Sequence, residues 1–238
     1  MTKQTYTLID QYMRTCMDDS VHDVEHIYRV LYNALQIAET EENVDLDVLI
    51  AACLLHDIGR PEQFADHSLC HAQVGAEKAE RFLREVGFGE VFVQKVCHCI
   101  RTHRFRKNDP PQSVEAKILF DADKLDVTGA LGIARSLMYK GEVTEPIYLT
   151  LPDGSISDGS DDASPSFFWE YKFKLERLYD RFFTAMGDEM ARERREIAVA
   201  FYDALRREVT EGRAAGQTIL NAWIGEKEID KEDHHESF

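Results

Sequence analysis

Apolar residues recur along much of the chain at three- and four-residue steps, the period of an amphipathic helix. Val24, Ile27, Val30, Leu31, Ala34, Ile37 and Ala38 form one such face. Leu46 to Leu55 is apolar almost all round and predicts a buried helix ending near His56-Asp57-Ile58-Gly59, with Gly59 and Pro61 as the stop. His71 to Val86 turns Ala72, Gly75, Ala76, Ala79, Phe82, Leu83 and Val86 inward, with Gly87 ending it. Val91 to Ile100, Val114 to Ala122 (opened by Gln112 or Ser113) and Leu125 to Tyr139 continue the pattern. It breaks over 141–166, where Gly141, Pro146, Pro152, Gly154, Gly159 and Pro165 stand among acidic residues, predicting a long irregular insertion. Phe167 to Val209 reads as helix again, in two pieces meeting near Gly187. The expectation is an all-α chain: one multi-helix bundle over 1–225, and a frayed acidic tail over 226–238.

Composition narrows what such a bundle binds. Twenty-eight Lys and Arg against 44 Asp and Glu give a net charge of −16. A nucleic-acid polymer needs a basic face to displace its counterions, and an anionic membrane surface makes the same demand, so neither is an expected partner. No apolar run reaches the roughly 18–20 residues of a membrane span, and the polar start lacks the apolar stretch of a secretory signal. Five cysteines, an odd number without framework spacing, fit free thiols and a cytoplasmic protein. A homodimer is compatible with all of this.

The chemistry concentrates in histidines beside acidic groups. His56-Asp57 closes an apolar helix, where an ionised carboxylate is costly unless paired or bound to a cation. His26 lies on the 24–38 helix, and Asp123 stands in Phe120-Asp121-Ala122-Asp123-Lys124-Leu125-Asp126. Two imidazoles and two carboxylates make a mixed nitrogen and oxygen set suited to Mn²⁺, Fe²⁺, Ni²⁺, Zn²⁺ or, less well, Mg²⁺.

The ordered words His22-Asp23-Val24-Glu25-His26, Leu54-Leu55-His56-Asp57-Ile58-Gly59, His71-Ala72-Gln73-Val74-Gly75-Ala76 and Asp121-Ala122-Asp123-Lys124-Leu125-Asp126 resemble the HD-domain metal-dependent phosphohydrolases, closest to small nucleotide pyrophosphohydrolases. The resemblance implies an all-α HD-domain bundle with one divalent ion held by His26, His56, Asp57 and Asp123. It implies attack of a metal-bound water, its pKa lowered toward roughly 7, on a phosphate ester or anhydride, with a small phosphorylated substrate, a nucleotide, as partner. Cations must then meet the negative charge spread over the phosphoryl oxygens. Lys124 is the first candidate, then Arg29, Arg101 and Arg104. His103 joins Asp57, Lys124 and Arg29 as an expected catalytic group, and His22, His71, His98 and Arg101 are expected around the substrate. Some relatives use extra histidines for a second ion, and here such a site would need Asp57 as a bridge. Glu62 is a candidate base, whereas the acidic residue that some relatives carry three positions after the Asp is Arg60 here. Two other readings stay open: a metal- and nucleotide-binding sensor without turnover, and a di-iron oxygenase on the same scaffold. An anionic substrate on a chain of charge −16 also predicts a cationic pocket within an acidic shell.

Overall fold

A computed structural model describes residues 1–17, 24–104 and 109–232, with 225–232 as backbone only. Its elements are α1 (Lys3–Met17), α2 (Val24–Ala38), α3 (Leu46–Leu55), α4 (Arg60–Ala65), α5 (His71–Glu85), α6 (Glu90–Thr102), α7 (Val114–Leu125), α8 (Gly129–Glu142), α9 (Phe167–Phe173), a 3₁₀ turn (Leu175–Asp180) and α10 (Ala185–Glu232). Among the described residues the only β pairing is an isolated bridge between Thr150 and Ile156 in the irregular 143–166 segment. The protein is all-α. No described helix is long and apolar enough to cross a membrane.

Two compact units share the chain. The first holds Met1–Gly132 and Leu178–Arg195, the second Ile133–Arg177 and Glu196–Phe238. In the first, α3 is central and touches α1, α2, α5, α6 and α7. That position explains its composition, since a helix surrounded by neighbours is apolar on every side. Val48, Leu49, Ala51, Ala52, Cys53, Leu54 and Leu55 are all buried. Asp45 caps α3 by accepting from the Val48 amide (3.3 Å), and Ser113 caps α7 by accepting from the Ala116 amide (3.2 Å). In the second unit, Phe167, Phe168 and Tyr171 of α9 form a core with Tyr202, whose ring stacks on Tyr171 at 4.1 Å between centroids. Lys140 is buried there against Glu145 and Glu170.

Three details depart from the sequence reading. The break expected at Gly187 falls earlier, over residues 174–184, and Gly187 lies inside the first turn of α10. A side chain at Gly187 would sit 2.7 Å from Thr184 Oγ1 and 2.8 Å from Asp121 Oδ2, so its glycine answers a close approach. The polar segment expected to fray continues α10 as far as Glu232. In Cys97-His98-Cys99, where residues two apart on a helix point to nearly opposite sides and so predict one buried and one half-exposed thiol, both thiols are buried and His98 is half-buried. All five cysteines are free.

Asp121 anchors the start of α10. Its carboxylate accepts from the Phe183 amide (2.9 Å), the Thr184 amide (2.7 Å) and Thr184 Oγ1 (2.6 Å). Burial pushes its pKa up while these bonds pull it back. Asp121→Ala strands two buried donors of Thr184 and the part-buried Phe183 amide and is expected to cost about 3 kcal/mol of stability. The urea midpoint reads this directly, and a loss below about 1 kcal/mol would mean that water satisfies those donors.

Candidate metal centre

Four helices of the first unit bring one histidine each to a common point. His26 comes from α2, His56 from the residue that ends α3, His71 from the first position of α5 and His103 from the end of α6. They are 5%, 0%, 0% and 2% exposed, burial that only a fixed network tolerates.

Each imidazole is oriented through its Nδ1. His56 Nδ1 lies 2.8 Å from the Cys53 carbonyl and His103 Nδ1 lies 2.6 Å from the Ile100 carbonyl. A carbonyl only accepts, so both Nδ1 atoms carry a proton and both Nε2 atoms are turned into the centre. His71 Nδ1 donates to Gln63 Oε1 (2.7 Å), whose amide nitrogen is used on the Leu69 carbonyl. His26 Nδ1 donates to Asp126 Oδ2 (2.7 Å). Second contacts of this kind fix tautomer and ring direction in metal-binding histidines.

Asp57 stands among the four Nε2 atoms, in the turn between α3 and α4. Its Oδ2 lies 3.5 Å from His26 Nε2 and 3.7 Å from His56 Nε2. Its Oδ1 lies 3.4 Å from His71 Nε2 and 3.6 Å from His103 Nε2. Asp123 Oδ1 completes the first side, 3.3 Å from His26 Nε2 and 3.8 Å from His56 Nε2. Two groups of potential ligands result, each with its atoms within 4.8 Å of one another: His26, His56 and Asp123, and Asp57, His71 and His103.

The residues fit a cation at both groups. On the second side, His71 Nε2 faces His103 Nε2 at 3.3 Å, both ring nitrogens turned to Asp57 Oδ1. Asp57 Oδ1 beside them is buried and makes no hydrogen bond. Its nearest cation, Arg60 Nε at 3.0 Å, is not aligned for one. Three buried acceptors turned toward one another call for positive charge. On the first side, burial pushes His26 down, but hydrogen bonds to Asp123, Asp126 and Asp57 hold its pKa well above the ordinary value. In the metal-free protein that proton occupies the place a cation would take. Burial drives His56 down to about 4 and His71 to about 3, so both are neutral donors at pH 7. Burial opposes ionisation of Asp57, yet His56, His103, His26 and Arg60 hold it well below the usual carboxylate range. Asp123 also stays ionised, through His26 and His56. It is the most open member, with its side chain 23% exposed, and marks the approach to the centre.

The remaining expected residues fall in different places. Arg29 is turned to Asp126, with Nε 2.7 Å from Oδ1 and Nη2 3.1 Å from Oδ2. Lys124 Nζ donates to the Arg181 carbonyl (2.7 Å) and lies 4.6 Å from the centre of the Phe182 ring, and burial lowers its pKa to about 8. Its recorded partners include none of the centre's residues, because position i+1 on a helix points about 100° away from Asp123. His98 precedes His103 by five residues and lies about 140° round the helix from it. Neither His98 nor Arg101 enters the hydrogen bonds or ion pairs of the centre found among the described residues. Arg104 does approach it, with Nη1 3.4 Å from His71 Nδ1. Glu62 pairs with Lys78 at 2.7 Å. His22 lies outside the described residues. Arg60, Gln63 and Asp126 are contributors that the sequence reading did not assign to the site.

An all-helical unit that gathers four histidines around a buried aspartate offers a donor set that could hold a metal ion, and the comparisons with known proteins give its family. The HD domain family model matches residues 23–128. YpgQ of Bacillus subtilis (strain 168) is 29% identical over 197 residues, 81% of this chain and 86% of that protein. Its crystal structure has a TM-score of 0.67 over 87% of this chain and 96% of that chain. YpgQ has also been solved in complex with ADP, with a TM-score of 0.66 over 86% of this chain and 97% of that one. A predicted HD-superfamily hydrolase from an uncultured Thermotogales bacterium is 31% identical, with a TM-score of 0.57 over 87% of this chain and 92% of that chain. The chain belongs to the HD-domain superfamily of metal-dependent phosphohydrolases.

Proposed function

We propose that the protein hydrolyses a phosphate ester or anhydride of a nucleotide, using divalent metal held by His26, His56, Asp57 and Asp123, with Asp57, His71 and His103 offering an adjoining position. The observation that carries this reading is the placement of Asp57, one carboxylate oxygen toward each histidine pair. A divalent ion held there supplies a water of lowered pKa and polarises a phosphoryl oxygen. The protein's own part is to keep the Nε2 lone pairs converging, through the four Nδ1 contacts, and to exclude water from all but the Asp123 side. Of the sequence candidates for phosphoryl charge, Lys124, Arg29, Arg101 and Arg104, only Arg104 keeps that role here, joined by Arg60, both cations beside the second histidine pair. The nucleotide is supported by the ADP complex of YpgQ.

The test is a panel of nucleoside mono-, di- and triphosphates and p-nitrophenyl phosphate esters, assayed with Mn²⁺, Mg²⁺, Fe²⁺, Ni²⁺ and Zn²⁺. Released phosphate and pyrophosphate are quantified separately, and metal content is measured on the same sample. Metal-dependent release of either product from a nucleotide is expected. Nucleotide binding that raises Tm without product overturns the hydrolase reading in favour of a sensor. Two irons per chain with oxygen consumption overturn it in favour of an oxygenase.

A further inference from the structure

The two ligand groups are not equivalent, and the difference lies behind them. His56, His71 and His103 each donate Nδ1–H to a neutral oxygen: a backbone carbonyl for two and the Gln63 amide for the third. His26 donates to a carboxylate, Asp126 Oδ2, at 2.7 Å. Asp126 is 0% exposed, and a buried carboxylate is costly unless it is paired. Arg29 supplies that pairing by a two-toothed contact, Nε to Oδ1 at 2.7 Å and Nη2 to Oδ2 at 3.1 Å, which fixes the plane of the carboxylate as well as its charge.

The surrounding fold holds this arrangement from three helices. His26 and Arg29 are one turn apart on α2, so both meet a single group on α7. Asp126 is the residue that ends α7, three positions after Asp123 and on the same side of it. Arg194 of α10 donates Nη1 to the Leu125 carbonyl (2.7 Å) and Nη2 to Asn33 Oδ1 (3.2 Å), tying the end of α7 to α2 beside the Asp126 carboxylate. A carboxylate behind an imidazole fixes its tautomer and makes the opposite nitrogen a better metal donor.

We propose that Asp126, held by Arg29, is a positioning residue that makes the His26, His56 and Asp123 side the tight metal position and leaves the Asp57, His71 and His103 side the weaker one. This rests on the metal-centre reading above and reassigns Arg29: it acts through Asp126 and His26 on metal affinity, and makes no contact with phosphate.

The experiment uses Mn²⁺ alone, with no substrate. The metal-free full chain is titrated, free Mn²⁺ is followed by electron paramagnetic resonance, and heats are followed by calorimetry. The wild type is expected to bind in two resolved phases. Asp126→Asn, which keeps the shape of the side chain, is expected to raise the Kd of the tight phase about 10- to 100-fold and to leave the weak phase unchanged. Arg29→Ala is expected to raise the same Kd in the same direction, and Arg29→Lys to recover only part of it, because an ammonium lacks the fork. In the hydrolysis assay, excess Mn²⁺ should restore kcat for Arg29→Ala with KM at the wild-type value. Thermal scans of the metal-free variants separate a folding defect from an affinity defect, and Arg29→Lys stands in if Arg29→Ala unfolds.

An unchanged tight phase in folded Asp126→Asn overturns the proposal. So does an Arg29→Ala protein with wild-type metal affinity and a raised KM, which would return Arg29 to the phosphate. A wild type that binds no metal defeats the functional reading itself. A chain whose metal affinity depends on Asp126 but which hydrolyses none of the panel leaves this inference standing and defeats only the choice of reaction.

Discussion

Asp57→Ala is expected to abolish metal binding at both positions and to lower hydrolysis on the order of 10³-fold or more. Asp57 is the one carboxylate shared by the two histidine pairs, with Oδ2 at 3.5 and 3.7 Å from His26 and His56 and Oδ1 at 3.4 and 3.6 Å from His71 and His103. Removing it leaves the first group with one carboxylate and the second with none. Metal polarisation and water activation are worth several kcal/mol, and each ~1.4 kcal/mol is tenfold in rate. The same substitution strands cations in the metal-free protein. Arg60 Nε lies 3.0 Å from Asp57 Oδ1, and His26 carries a proton held partly by Asp57. Breaking a buried charge network from one side costs about 3–5 kcal/mol.

The pH dependence of that loss has a definite sign. Asp57 has a folded pKa below its unfolded value, so its stabilisation is complete above the unfolded pKa and is lost as pH falls through the folded one. His26 has a folded pKa above its unfolded value, so its stabilisation is complete below the unfolded pKa and is lost as pH rises through the folded one. His56 and His71 are buried neutral with folded pKa values below the unfolded one, so stability is also lost as pH falls below the unfolded histidine range. Metal-free wild type should therefore be most stable near neutrality, and Asp57→Ala should flatten the alkaline limb that His26 sets. Calorimetric Mn²⁺ titration, steady-state rates and urea midpoints across pH check these points. Full metal uptake by the alanine variant would sink the shared-carboxylate arrangement.

What could be read from the sequence divides along a physical line. Residues whose role follows from one helix were legible. The all-round apolar run at 46–55 marks the central helix, and His56-Asp57 stands out because a buried charge beside imidazole asks for a cation, whereas His26 and Asp123 join it as ligands only through the family resemblance. Residues whose role depends on where a side chain ends were not. Arg29 was correctly seen on the same face as His26, but periodicity carries no information on whether its guanidinium meets a phosphate or Asp126. Lys124 was favoured for standing next to Asp123 in the chain, although neighbours on a helix point about 100° apart. Asp126, at i+3 from Asp123, had the better spacing for a shared face. Arg60 and Gln63 lie beyond Gly59, on either side of Pro61, where the path of the chain is set by packing against α5. The two helical pieces expected to meet near Gly187 do not, and Gly187 stands there because Asp121 and Thr184 leave no space for a side chain.

The same want of space gives the second large effect, at Gly59. Its φ of −95° is open to any residue, so backbone conformation does not require glycine. A Cβ there, however, would lie 2.3 Å from the His71 carbonyl oxygen, 2.6 Å from the Gly75 nitrogen and 3.1 Å from the Gly75 Cα. These are backbone atoms of the first turns of α5, and they cannot swing aside as a side chain would. Gly59→Ala must move α5 bodily away from the turn that carries Asp57. Overpacking of this kind costs typically 1–3 kcal/mol, and contact with backbone places it at the upper end. At about 3 kcal/mol the Tm falls by roughly 6–12 °C for a chain of this size. The displacement also carries His71 from Asp57 Oδ1, so Mn²⁺ binding should fall from two ions to one, with the His26, His56 and Asp123 side retained. Gly75→Ala is the matched comparison across the same crossing. Its Cβ would meet Gly59 N and His56 O at 3.4 Å and Ile100 Cγ2 at 3.6 Å, ordinary contact distances, and alanine gains about 1 kcal/mol over glycine within a helix. Gly75→Ala is thus expected to melt near the wild type and to bind both ions. If Gly59→Ala did the same, the crossing would open without cost, and the spacing of His71 from Asp57 would have to be set elsewhere in α5.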